Sequence, residues 1–188
     1  GISAGNATTV LNCDATGCGV GVRHQNAGLV VLGGRYEVNT IGIKLGYDEN
    51  DDAFTDSSVL ISALSMESNS TAAIHLGSCA AVAIVGCGIT ANNPCTYGLD
   101  ISNLAKNVTV TGLGVSGTYV TAALNIQAVL PCSFNSIEYE ISGPGWACWR
   151  KPKLEIVRTI NPLSDLKLPH DGKIERRPPI DFTDVELV

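Results

Sequence analysis

Acidic side chains are the first residues to weigh for chemistry in this chain. Cleaving a glycosidic bond takes two carboxyl groups flanking the scissile linkage, one protonating the leaving oxygen while the other activates water or attacks. Glu67, Asp100, Glu138 and Glu140 are the acids that a strand pattern turns toward solvent, with Asp100 and Glu138 the catalytic candidates. Asp100 falls 25 residues after His75 and 25 before Asn125, so a repeat of that length stacks the three in one polar column able to touch sugar hydroxyls. Tyr47 adds a ring on which a sugar could lie. Such a column serves more often as plain solvated surface. A lyase would want a basic residue beside bound calcium, and Arg23, Arg35, Lys44 and Lys106 are thin material for that.

The segment Gly46–Ser58 is an acidic insertion holding Asp48, Glu49, Asn50, Asp51, Asp52 and Asp56. Hard cations favour clustered oxygens, which makes Asp48, Asp51 and Asp52 candidate calcium ligands. The central Gly and terminal Glu of a helix-loop-helix calcium site are missing, and a solvated acidic loop is the commoner role. No organic cofactor is expected. Cysteines number seven, an odd count without a C-x-x-C pair, which leaves a zinc ribbon unsupported. Cys148, set between Trp146 and Trp149, is the candidate for bonding between chains; a thiol buried under the two rings is the alternative. Neither a nucleophile nor a relay lines up with His24, His75 or His170. Asn6, Asn69 and Asn107 open N-x-S/T triplets, which arise by chance at this length.

The elements that must position these residues repeat. Ile74 and Leu76, Val82 and Ile84, and Cys87 and Ile89 find counterparts 25 or 26 residues later in Leu99 and Ile101, Val108 and Val110, and Leu113 and Val115. A further unit offers Leu124 and Ile126, Phe134 and Ser136, and Tyr139 and Ile141, while Val59, Ile61, Leu64 and Met66 lead into the series at a spacing of 23. Each unit holds three short period-two segments, which means strands. Such a unit cannot bury its apolar face alone, but stacking units does so and satisfies the backbone. The prediction is an all-β, right-handed parallel β-helix of about five or six coils of roughly 25 residues, right-handed because parallel crossovers almost always are. The expected inward stacks are Ile74–Leu99–Leu124, Val82–Val108–Phe134 and Ile89–Val115–Ile141. A β-sandwich also strings strands between turns, but it has no cause to hold this phase over three units.

Composition agrees. Charged residues are 16% of 188, and 20 Gly with 8 Pro exclude a coiled coil. A net charge of −6 argues against nucleic acid as a partner. No apolar run is long enough for a membrane span. Residues 1–143 carry four basic and eleven acidic side chains; residues 144–188 carry eight and seven. The division predicts a β-helix body over 1–143 and an extended tail over 144–188 that caps the solenoid end and packs between chains. Three-fold closure is the symmetry expected of such an assembly. Gly1 in place of Met, with no signal region after it, reads as either a processed chain or a piece of a longer protein, and first residues that enter a repeat partway favour the piece.

The units AIHLGSCAAVAIVGCGIT and GLDISNLAKNVTVTGLGVS resemble coils of the pectate-lyase-like right-handed β-helix over residues 20–143. That superfamily includes polysaccharide lyases, polygalacturonases and bacteriophage tailspikes. A short body with an interweaving tail is most similar to the distal part of a trimeric tailspike or tail fibre. The resemblance implies a virion or extracellular location, a homotrimer among other virion proteins, and host-surface polysaccharide as the partner. It implies a structural, receptor-binding role; the alternative is a fragment of a carbohydrate-active hydrolase or lyase. No catalytic motif of the superfamily aligns onto this chain.

Overall fold

A computed structural model describes residues 1–4, 7–25, 27–47, 56–128, 132–150 and 173–174. The described residues form strands and turns with no helix, wound as a parallel β-helix of about five turns. The first face stacks β1 (Ile2–Ala4), β4 (Val20–His24), β7 (Ile41–Leu45) and β10 (Ala72–Leu76), then the end of β12 (Gly88–Ile101) and of β13 (Lys106–Ile126). The second stacks β2 (Thr8–Leu11), β5 (Ala27–Leu32), β8 (Asp56–Ser62), β11 (Cys79–Val85), the start of β13 and the start of β14 (Cys132–Ser142). The third stacks β3 (Ala15–Thr16), β6 (Arg35–Glu37), β9 (Ser65–Glu67), the start of β12, the middle of β13 and the end of β14. All pairings within these faces are parallel, so each strand's ladder is completed one coil away.

Three inward rows fill the core. Ile2, Val22, Ile43, Ile74, Leu99 and Leu124 stack on the first face. Val10, Val31, Ile61, Ile84, Val110 and Phe134 stack on the second. Ala15, Tyr36, Met66, Ile89, Val115 and Tyr139 stack on the third. Most are fully buried, and a buried Leu, Ile or Val contributes about 1.5–3 kcal/mol by leaving water. Cys87 is a buried apolar filler, as its inward position predicts, and burial pushes its thiol up.

The expected stacks hold through two coils and slip in the third. Leu124 follows Leu99, but Val108 pairs with Cys132 rather than Phe134, and Val115 with Tyr139 rather than Ile141. A bulge between Ala91 and Tyr97 and the turn Ser102–Ala105 each add a residue to the coil from Val82 to Val108, and the following coil is shorter by two. A slip of two residues keeps every side chain on its own face, so alternation alone cannot reveal it.

The chain bends between the second and third faces at one left-handed residue per coil. Asn12, Gly33, Ala63, Gly86, Gly112 and Ser136 hold φ between 46° and 64° at equivalent positions. Gly takes this conformation freely, whereas Ala63 and Ser136 carry a steric cost of about 1–2 kcal/mol. A second corner is held by side-chain amides. Asn39 Nδ2 donates to the Ala15 carbonyl at 3.0 Å, and Asn69 Nδ2 to the Tyr36 carbonyl at 2.8 Å. Their Oδ1 atoms accept from the Cys18 and Asn39 backbone N–H groups. Asn69 is buried in this ladder, which excludes its triplet from glycosylation in the folded chain.

The described part of the tail continues the solenoid. β15 (Trp146–Arg150) adds a seventh parallel strand to the first face, paired with Ala122–Ile126, so coiling runs past residue 143. β16 (Lys173–Ile174) lies antiparallel on β15. Residues 151–172 and 175–188, with the capping and inter-chain roles expected of them, lie outside the described residues.

Candidate functional site

On the outside of the first face one row runs Arg23, Lys44, His75, Asp100 and Asn125, rung upon rung. The column expected of His75, Asp100 and Asn125 is therefore present. Its environment differs from the solvent-facing one predicted. Asp100 is 8% and Asn125 3% exposed. His75 Nδ1 meets Asp100 Oδ2 at 2.7 Å, and Asn125 Nδ2 donates to Asp100 Oδ1 at 2.7 Å. Neighbours one rung below and one above thus close over the carboxylate, which is why it is buried despite facing away from the core. Because an ionised carboxylate only accepts, the proton of this contact sits on His75 Nδ1.

Tyr47 completes the cluster. Its ring stacks on the imidazole with centroids 5.2 Å apart, and Lys44 Nζ lies 4.9 Å over the same ring. A Cβ on Gly77 would fall 2.1 Å from the Tyr47 ring, so that glycine is what lets the ring lie flat against the sheet. The fold therefore brings Tyr47, His75, Asp100 and Asn125 together. Among the described residues it supplies one carboxylate, Asp100, to this row.

Glu138 stands elsewhere, on the outside of the third face, so the two catalytic candidates do not converge. There Glu37, Glu67, Thr90, Ser116 and Glu140 occupy successive rungs of one row. Ser65, Gly88, Gly114 and Glu138 occupy the parallel row beside it. An open groove of about 550 Å³ lies over Gly88, Thr90, Gly114, Ser116, Glu138 and Glu140. Thr90 Oγ1 and Ser116 Oγ share a hydrogen bond of 3.1 Å across its floor, and Asn92 Nδ2 donates to Glu67 Oε1 at its edge.

The two glycines set the depth of this groove. Neither has a left-handed φ, and a Cβ at either would meet nothing within 4 Å. Glycine inside a strand costs about 0.5–1 kcal/mol relative to alanine and often marks a place where a ligand approaches the backbone. Packing and backbone geometry do not require these two.

The remaining candidates separate. Asp48, Asp51 and Asp52 lie outside the described residues, and no group of three or more His, Cys, Asp or Glu among the described residues could hold a metal ion. Cys148 pairs in register with Leu124, on the inward row, and packs half-buried against the core. Trp146 pairs with Ala122 two positions earlier on the same strand and is half-buried; the Trp149 backbone pairs with Asn125. Sequence reasoning missed Gly88, Gly114, Thr90 and Ser116 as a site, and Asn39 and Asn69 as a ladder. The ladder has a signal: each Asn precedes a hydroxyl residue just ahead of a first-face strand.

No known protein family, curated protein or solved structure matches this chain. No helix among the described residues is long and apolar enough to cross a membrane.

Proposed function

We propose that this β-helix is a glycan-recognising rod, of the kind a bacteriophage tailspike or tail fibre presents to host-surface polysaccharide, and that the third-face groove is its recognition site. The observation that carries the reading is the pair Gly88 and Gly114, two strand glycines on adjacent rungs that keep the groove floor bare without any steric need. Hydroxyls of Thr90 and Ser116 and carboxylates of Glu138 and Glu140 line that floor, the donor and acceptor set that sugar hydroxyls match. A rigid sheet presents them without loop ordering, which lowers the entropic cost of binding an extended polymer.

The test is an array of capsular and lipopolysaccharide glycans probed with the parent chain and with Gly114→Val. The expected result is one or a few retained glycans, lost in Gly114→Val at unchanged melting temperature. A protein that retains no glycan, or a variant that binds as the parent does, overturns the reading.

One observation favours a second reading, a polysaccharide hydrolase. Glu138 and Glu140 project from the same face of one strand two residues apart, about 6.8 Å along it, within the roughly 6.5–9.5 Å used by inverting glycosidases. Release of reducing ends from a bound polysaccharide, abolished by Glu138→Gln, decides for the enzyme.

A further inference from the structure

We infer that the ligand of the third-face groove carries protonated amines: the glycan it accepts contains amino sugars with free amino groups. This rests on the groove being the glycan site, and adds the charge of what fills it. Two independent features meet there. The bare floor of Gly88 and Gly114 gives a ligand access to the backbone, and every ionised side chain on the groove itself is a carboxylate.

The rows around the groove show how one-sided this is. From the last coil backwards, Glu140, Ser116, Thr90, Glu67 and Glu37 follow one another, with Glu138 beside Glu140 and next to Gly114. Among the described residues the cation of this face is Arg35, at its far end, where it lies 3.4 Å from Asp14 and 3.8 Å from Glu37. Glu138 and Glu140 are exposed and meet no cation among the described residues. An acidic polysaccharide entering here would bring like charge within a Debye length of several carboxylates. A neutral one could donate hydroxyl hydrogen bonds to the carboxylates but would leave their charge uncompensated. An ammonium group can form charge-assisted hydrogen bonds to either Glu, and these are the stronger and shorter kind. Glu67 and Glu140 stand three rungs apart, about 14 Å at the spacing of paired strands, so a ligand touching both must run along the solenoid axis.

The experiment uses calorimetry at low salt and pH 5.5 with three hexamers: glucosamine, N-acetylglucosamine and galacturonate. The expected result is that the glucosamine hexamer binds about tenfold or more tighter than its acetylated form, while the galacturonate hexamer does not bind. In the double variant Glu138→Gln with Glu140→Gln, and in 0.5 M salt, the advantage should shrink to about twofold or less. The inference is overturned if the acetylated or the acidic hexamer binds as tightly as glucosamine, if the advantage survives the double variant, or if none of the three binds. Gly114→Val separates this failure from failure of the groove: a hexamer of any charge that Gly114→Val abolishes leaves the groove as the glycan site and removes only the amine.

Discussion

His75 and Asp100 sit on adjacent rungs of the first face with Nδ1 and Oδ2 2.7 Å apart, and Asn125 one rung further donates to the other oxygen of the same carboxylate. Three residues from three coils are thus tied into one polar unit, buried at Asp100 and Asn125 and half-buried at His75, and its energetics follow from which partner is removed.

Asp100→Ala leaves the buried Asn125 amide and the His75 Nδ1–H without their acceptor. Orphaned buried donors cost about 1–3 kcal/mol, so urea unfolding should show a loss of about 2 kcal/mol. Asp100→Asn should cost less, because its amide oxygen still accepts from Asn125. Its amide N–H₂ then faces His75, which can accept only if Nδ1 gives up its proton. Nitrogen NMR of the imidazole should show the neutral proton moving from Nδ1 to Nε2; an unmoved tautomer contradicts the assigned contact.

The asparagine ladder gives a second expectation. Asn69→Ala removes the donor to the Tyr36 carbonyl and the acceptor for the Asn39 N–H, both in a buried corner. The expected loss is about 2 kcal/mol, from two unmatched buried groups partly relieved by relaxation. Asn107→Ala, on an exposed residue, is the comparison, although its left-handed φ of 53° adds a small cost for the alanine. Equal melting temperatures for the two variants would remove the ladder's role.

Glycines of one repeat should respond in opposite directions. Gly114→Val adds a strand-forming side chain where nothing lies within 4 Å, so melting should stay constant or rise by an amount matching about 0.5–1 kcal/mol. Gly117→Ala, three residues on, puts a Cβ 2.2 Å from the Ala91 carbonyl at a φ of +102°. Its melting temperature should fall sharply or the chain fail to fold. The contrast, read by circular dichroism, separates a glycine the fold needs from one it does not.

Alkaline pH should weaken the fold in a defined window. Burial pushes the Cys95 thiol from its ordinary 9.0 up to about 11, and Tyr36 from 10.0 up to about 12. The unfolded chain therefore releases these protons before the folded one does. Stability is complete below about pH 9, falls as pH rises, and loses the Cys95 contribution by about pH 11. Urea midpoints measured from pH 8 to 11 should decline, and Cys95→Ala should flatten the first part of that decline. In the native protein at pH 8, the half-buried Cys13 and Cys18 should react with a thiol reagent well before Cys95.

Much of the fold can be read from residue types, and the reasons for the rest are physical. Period-two alternation in Ile74–Leu76, Val82–Ile84 and their counterparts locates strands and assigns their faces, because burying one side of a sheet forces it. The rung on which Phe134 falls is invisible to that logic, since Phe134 and Cys132 point the same way. The bulge between Ala91 and Tyr97 and the turn Ser102–Ala105 settle it together. Corner positions are half legible: Gly86 and Gly112 share a slot, but Ala63 and Ser136 adopt the same left-handed turn without the residue that announces it. The spacing of His75, Asp100 and Asn125 places the column correctly, yet nothing in it distinguishes a wet row from a dry one. Burial there depends on side chains meeting across coils and on where the Tyr47 ring lies. The groove escaped notice for the opposite reason. Its defining residues are glycines, and an absent side chain leaves a mark only when its surroundings are known.

The direction of β16 carries a consequence for assembly. A solenoid of identical, same-sense coils is an open template: whatever chain offers another such coil can dock on its last strand and offer a fresh one in turn, and growth has no natural stop. Lys173–Ile174 reverses that sense on β15. An incoming coil from a sibling molecule finds the β15 edge at Cys148 and Trp149 already paired. Two residues of reversed chain thus occupy part of the first-face edge on which a further parallel coil would otherwise pair.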